Sequence, residues 1–373
     1  MERVDIAVVG GGIAGASAAA EMAAEKRVVL LEREGQPAYH TSGRSAALFC
    51  ETYGNAVVRG LSVGSRAFLR EPPPGFADAP LLSPRGALMV GRAEHADLLD
   101  GEADAGRALV PDVRRLSADE VRAMVPVLGP DWIGGVLEPG AMDIDTHATV
   151  HGFLRMLRAR GGRAVTDAEV RAIGRTADGW RIETPAGTFL AEVVVDAAGA
   201  WADALAEAAG VRPAGVVPKR RTAFLFDPPD GVDAGRWPML GAIDESFYFK
   251  PDAGKILGSP ADETPSPPTD AQPEELDVAV AVDRIERATT MRIGRISHRW
   301  AGLRSFAADK TPVVGFAPDA EGFFWLAGQG GYGFQTCAAM ARTAAALVAG
   351  RPVPGDLQDL GVTAAALSPA RFG

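Results

Sequence analysis

The sequence predicts an α/β protein with a discontinuous Rossmann-like domain and an inserted α+β domain whose sheet is mostly antiparallel. Three observations predict it. A strand, a glycine turn, a helix and a second strand occupy the first 32 residues. Two further parallel-strand signatures stand far downstream, at 193–196 and 323–327. The stretches between carry strand–turn–strand patterns instead of further strand–helix repeats.

The run Val4 to Val9 is almost wholly apolar, as a strand covered on both faces of a parallel sheet must be. It enters Gly10-Gly11-Gly12-Ile13-Ala14-Gly15, and an Ala-rich helix follows through Ala24. Val28-Val29-Leu30-Leu31 is the second strand and ends at Glu32. Gly10, Gly12 and Gly15 form GxGxxG, and an acid stands about 20 residues on, the fingerprint of a dinucleotide site. Backbone N–H groups at the helix start would hold a pyrophosphate, and Glu32 would accept ribose hydroxyls.

A nicotinamide-type domain would continue with another helix and strand. Here residues 35–47 read as a polar loop, with mixed structure after it. The next parallel strand is Val193-Val194-Val195-Asp196, followed by Ala197 to Asp203. The last is Phe323 to Ala327, leading into Gln329-Gly330-Gly331-Tyr332-Gly333 and a helix that Gly350 and Pro352 stop. Amides at that helix start would face a ring carrying negative charge. The dinucleotide domain is therefore expected at 1–47, 146–208 and 311–368, and the inserted domain at 48–145 and 209–310.

In the insertions, Ser246 to Lys250, Pro251 to Gly254 and Lys255 to Gly258 read as strand, turn and strand. Arg221 to Phe226 and Trp300 to Phe306 are further strands. Residues 259–273 form a Pro-rich exposed loop, and Pro273 opens a helix through about Arg287. Arg221, Tyr248 and Arg304 lie on these strands. Arginine forks grip carboxylates and a phenol adds a donor. From spacing alone, however, each reads as an exposed strand residue.

Composition removes several classes. The chain of 373 residues carries a formal net charge of −10, which argues against a nucleic-acid binder. Cys50 and Cys337 have neither zinc spacing nor a disulfide framework. His147 and His151 lack an intervening HExxH, so no metal site is expected. No apolar run reaches about 18 residues, the length of a membrane span. The opening strand leaves no room for a signal peptide, and a cytoplasmic location is expected.

These residues together resemble the FAD flavoenzymes of the D-amino acid oxidase, glycine oxidase and sarcosine oxidase superfamily. The likeness rests on Val8 to Gly15, Leu31-Glu32-Arg33, Ser42 to Ala47, Val195 to Trp201 and Gly328-Gln329-Gly330-Gly331-Tyr332-Gly333. Within that superfamily, Pro218 to Arg221, Asp244 to Tyr248, Leu257 to Ala261, Trp300 to Phe306 and Glu321 to Trp325 resemble the D-arginine dehydrogenases. The resemblance implies non-covalent FAD. It implies a cofactor set of Gly10, Gly12, Ile13, Ala14, Gly15, Glu32, Arg33, Ser42, Arg44, Ser45, Ala46, Ala198, Gly199, Trp201, Gly330, Gly331, Tyr332, Gly333, Phe334 and Gln335. Arg221, Tyr248 and Arg304 would hold a substrate carboxylate beside Gly331, and Tyr53 would cover the pocket.

Two positions depart from the dehydrogenase pattern. Leu48 replaces a histidine, and Ala87 replaces a glutamate that would meet a cationic side chain. The expected reaction is oxidation of a D-amino acid with a neutral or apolar side chain to an imino acid, hydrolysed to a 2-oxo acid and ammonia. Glu51 is the alternative acid that would restore a cationic substrate. A secondary amine or a 2-hydroxy acid on the same clamp is a second reading, and a non-catalytic flavin-carrying subunit a third. The electron acceptor is left open among quinone, another carrier and oxygen.

Overall fold

The computed structural model describes residues 1–373 and contains two large sheets and one small one. The first sheet has eight strands. At its centre Glu2–Val9 lies parallel to both Gly187–Asp196 and Val28–Leu31. Arg163–Val165 extends it in parallel beyond Val28–Leu31, and Phe323–Ala327 does so beyond Gly187–Asp196. The antiparallel strands all lie on the Gly187–Asp196 side, with Ala172–Thr176 and Gly179–Thr184 on one path and Val313–Phe316 against Phe323–Ala327 on another.

Helices Ile13–Met22, Thr146–Ala159 and Cys337–Val348 pack together over one face of this sheet, joined by a core that includes Val8, Phe153, Phe324 and Met340. The first helix is nearly all small residues, which lets its neighbours approach closely. It begins where the strand turns at Gly10. Gly10 has φ +111°, and a Cβ there would lie 2.3 Å from the Ala197 carbonyl oxygen. A Cβ at Gly15 would lie 1.9 Å from the Gly10 carbonyl oxygen. Both positions therefore exclude any side chain.

The second sheet has nine strands, and its pairings are antiparallel except for Met239–Ala242 against Ala87–Gly91. Its longest pairing joins Val217–Phe226 to Ile296–Phe306. One face packs on a core of Leu88, Leu240, Phe224, Phe249 and Ile285, the last from helix Glu275–Ala288. The opposite face looks toward the first sheet. The third sheet, Leu48–Phe49, Leu82–Pro84 and Met142–Ile144, is short.

Three details differ from the sequence reading. The hairpin turn is tighter than Pro251 to Gly254: Asp252 pairs with Lys255, leaving Ala253 and Gly254 at φ +48° and +80°. The Pro-rich loop contains a short strand, Thr264–Pro265, paired with Lys219 and Arg220. The helix after it begins at Glu275, two residues beyond Pro273, because Glu274 is still extended. No helix is long and apolar enough to cross a membrane.

Candidate active site

Two cavities meet between the large sheets. The first, about 330 Å³, runs from the glycine turn to the loop 329–334. The second, about 630 Å³, lies over the inward face of the nine-stranded sheet. Ser45, Ala46, Arg221, Tyr248, Arg304, Gly331 and Phe334 line both and mark the seam.

Strand register explains how the seam is built. Lys219 pairs with Arg304, and Arg221 pairs with Gly302. Residues directly opposite share a face, as do alternate residues along a strand. Arg221 and Arg304 are therefore diagonal neighbours on the inward face, although 83 positions separate them in sequence. Tyr248 joins that face through the Lys255–Ser259 strand, where it pairs with Ser259. Sequence spacing read these three as exposed; the structure turns all of them inward.

The two arginines differ in charge balance. Arg221 donates from Nε to the Asp262 carbonyl oxygen at 2.8 Å, and its Nη2 lies 3.5 Å from Glu263. Glu263 is shared with Lys219 and Lys310. Arg304 has no carboxylate partner; its surroundings are the phenols of Tyr53, Tyr248 and Tyr332. Burial acts to lower its pKa and the phenols to raise it, with a net rise, and an arginine is charged at neutral pH in any case. A Cβ at Gly331 would lie 2.8 Å from Arg304 Nη1, so any side chain there would push the guanidinium from its place beside the loop. A sequestered cation without a counter-ion is costly unless an anion completes it.

The first cavity collects most of the expected cofactor set: Gly10, Gly12, Ile13, Ala14, Glu32, Arg33, Ser42, Arg44, Ser45, Ala46, Ala198, Gly199, Trp201, Gly330, Gly331, Gly333 and Phe334. Three residues of the expected set lie outside this lining. Gly15 lines neither of the two cavities and sits at a close helix–strand contact. Tyr332 and Gln335 line the second cavity instead. Tyr332 stacks edge-on against Tyr53 at 5.1 Å, and the Gln335 amide donates to Ser62 Oγ at 2.8 Å.

The cavity fits a dinucleotide on its own chemistry. Glu32 accepts from the Gly11 amide at 2.7 Å and from the Glu34 amide at 2.9 Å, which holds the carboxylate against the turn. Burial raises its pKa above the ordinary carboxylate value. Three residues of the lining each carry a buried polar atom with no partner within the protein: His40 Nδ1, Ser305 Oγ and Gln329 Nε2. Buried polar groups are nearly always satisfied, so these three are exceptions at the cavity's edge. The sequence places Gln329 at the start of the loop expected to face a ring and gives His40 and Ser305 no role. Isolated polar residues with no motif carry no such signal, although His40 lies in the polar loop and Gln329 opens the last glycine loop. Arg44 lines the cavity, but its guanidinium is committed to Ala271 and Ala301 carbonyls and to Asp270.

In the second cavity the sheet face forms a floor. One row runs Tyr248, Gly241, Met89, Val136 in register, and the next brings Met239, Ala87 and Glu138 together. Tyr53, Leu48 and Ala87 line this cavity as expected, and Cys50 joins them. Glu51 does not line it. Its carboxylate turns away to pair with Arg66 of helix Ala56–Arg70.

Neither thiol is poised for attachment to a ring. Burial pushes the Cys337 thiol up to about 12, and burial with the Glu138 carboxylate pushes Cys50 well above the usual thiol range. Acid precipitation is therefore expected to release yellow colour into the supernatant; colour held in the pellet would contradict it. Substituting Glu32→Ala is expected to weaken binding of FAD to the apoprotein by roughly 10- to 100-fold, the loss of hydrogen bonds to a charged acceptor. Fluorescence titration measures it, and an unchanged Kd would remove Glu32 from the site.

The geometry agrees with the comparisons. The family model for FAD dependent oxidoreductases matches residues 5–347. The chain is similar to a glycine oxidase of Geobacillus kaustophilus, 24% identical over 87% of this chain and 88% of that protein. It is 26% identical to an L-2-hydroxyglutarate dehydrogenase of Escherichia coli over 60% of this chain and 54% of that protein. It also shares 26% identity with an uncharacterized oxidoreductase of Bacillus subtilis, over 66% of each chain. The solved glycine oxidase of Geobacillus kaustophilus superposes with a TM-score of 0.81 over 98% of this chain and 99% of that chain, at 24% identity. The L-alpha-glycerophosphate oxidase of Mycoplasma pneumoniae, solved with FAD bound, gives 0.84 over 94% and 95%, at 20% identity.

Proposed function

The chain belongs to the FAD dependent oxidoreductase family, and we propose that within it this protein oxidises the CH–NH2 bond of a D-amino acid with a neutral or apolar side chain. The imino acid formed is hydrolysed to a 2-oxo acid and ammonia. The observation that carries the proposal is the unpaired Arg304 guanidinium, set with Arg221 and Tyr248 at the seam of the two cavities.

Bound FAD supplies the two-electron oxidation. Residues 1–47, 146–208 and 311–368 hold it, with Glu32 at the ribose, the glycine turn at the pyrophosphate and the 330–334 loop at the ring. Residues 48–145 and 209–310 hold the substrate. Arg304 and Arg221 grip the carboxylate, which fixes the α-carbon at the seam, and Tyr248 adds a hydroxyl donor. Tyr53 and Tyr332 meet edge to face beside Arg304 and give the clamp an aromatic border. The amine enters the reaction neutral, and bulk or bound water takes its proton.

The D-amino acid assignment is supported by the resemblance to D-arginine dehydrogenases, and the apolar side chain by Leu48 and Ala87 on the cavity wall. A secondary amine or a 2-hydroxy acid would use the same clamp, and the family includes a dehydrogenase named for L-2-hydroxyglutarate. A flavin carrier without its own reaction would have no use for Arg221, Tyr248 and Arg304 together. The test is flavin bleaching without oxygen across D- and L-amino acids, N-methyl amino acids and 2-hydroxy acids. Bleaching by D-leucine or D-methionine ahead of the other groups supports the proposal. Bleaching confined to another group overturns it.

A further inference from the structure

We propose that Met89 is the specificity-determining residue that sets how long and how wide a substrate side chain the second cavity accepts. The inference rests on the proposed function for its substrate class and on the sheet geometry for its residue.

Met89 stands on strand Ala87–Gly91, on the inward face, flanked in register by Gly241 and Val136. Strand alternation turns Leu88 and Val90 into the core behind and leaves Met89 half-buried at the cavity. Its thioether leans over Gly241. A Cβ at Gly241 would lie 3.0 Å from both Met89 Sδ and Met89 Cε, and 3.6 Å from Tyr248 Cβ. The tip of Met89 therefore fills the space that Gly241 leaves bare, beside the clamp tyrosine.

The cavity does not end there. Beyond Met89 the floor continues to Val136, and Leu98 and Ile243 also line the chamber. At about 630 Å³ it lies within the range that holds drug-sized ligands, larger than a leucine-sized amino acid requires. Met89 is thus a raised part of the floor beside the clamp, and the chamber continues past it. Methionine is unbranched and turns about three bonds, so it adapts to what it packs against. Side chains of leucine or methionine length pack against the thioether where it stands. An indole laid along the same floor meets the thioether beside the clamp tyrosine, and a shorter residue at 89 would open the bare space over Gly241 to it.

The experiment compares wild type with Met89→Ala and Met89→Phe in two assays. The first is kcat/KM for D-leucine and D-tryptophan. The second is the Kd of isovalerate and indole-3-acetate, read from the flavin spectrum without turnover. A mismatch of one methylene in a hydrophobic pocket changes selectivity by roughly 10- to 200-fold. Met89→Ala is expected to raise the tryptophan-to-leucine ratio about tenfold or more, with the same direction in the carboxylate Kd values. Met89→Phe is expected to lower both ratios. Ratios within about twofold of wild type in both variants would overturn the assignment. If no D-amino acid is oxidised yet the Kd ratio moves as stated, the substrate proposal fails and the role of Met89 stands.

Discussion

Arg304→Met is expected to lower kcat/KM for the amino acid substrate by about two to four orders of magnitude while leaving the bound-flavin spectrum intact. The guanidinium has no carboxylate of its own within the protein. A substrate carboxylate would therefore be its counter-ion, and removing one partner of such a buried pair costs roughly 3–5 kcal/mol. Each 1.4 kcal/mol is about tenfold. Arg221→Met is expected to cost less, because Glu263 and the Asp262 carbonyl already share that guanidinium. Steady-state kinetics beside an absorbance spectrum make the comparison. Normal turnover of a carboxylate substrate by Arg304→Met would show that the clamp lies elsewhere.

D-Leucine, D-methionine or D-phenylalanine is expected to exceed D-arginine and D-lysine in kcat/KM by at least about 100-fold. A cationic side chain entering this cavity would lose its water and needs a free carboxylate in return. The carboxylates that line it are Glu102, Glu138, Glu245 and Asp309. Glu138 is saturated by the amides of Glu51 and Thr52, the Thr52 hydroxyl and the Cys50 thiol. Asp309 is engaged by Arg371, and Glu102 lies 3.4 Å from Arg59. Glu245 is exposed at the rim. Glu51, the acid that could have rescued a cation, is spent on Arg66. An apolar side chain instead gains about 25 cal/mol for each Å² it buries against Leu48, Ala87 and Met239. A preference for the cationic pair would contradict this and would direct attention to Glu245.

What the sequence made legible follows from how local each feature is. The glycine turn, its strands and Glu32 lie within one short segment whose chemistry is fixed by neighbours along the chain. The strands bearing Arg221 and Arg304 were legible as strands. Their shared face was not, because it depends on a register between segments far apart. That His40, Ser305 and Gln329 each keep an unpartnered polar atom was not legible for the same reason: only the assembled cavity buries them so. Nothing in the sequence singles out Met89, since its place over Gly241 comes from a parallel pairing between two inserted strands. Gln335 and Tyr332 line the second cavity and not the first, a placement that depends on the assembled fold.

The most direct test of the central claim is product stoichiometry under oxygen-free conditions. Stopped with excess D-leucine, the enzyme should yield one 2-oxo acid and one ammonia for each flavin bleached, and L-leucine should leave the flavin yellow. Bleaching by a 2-hydroxy acid or an N-methyl amino acid, with D-leucine inert and no ammonia formed, would contradict it.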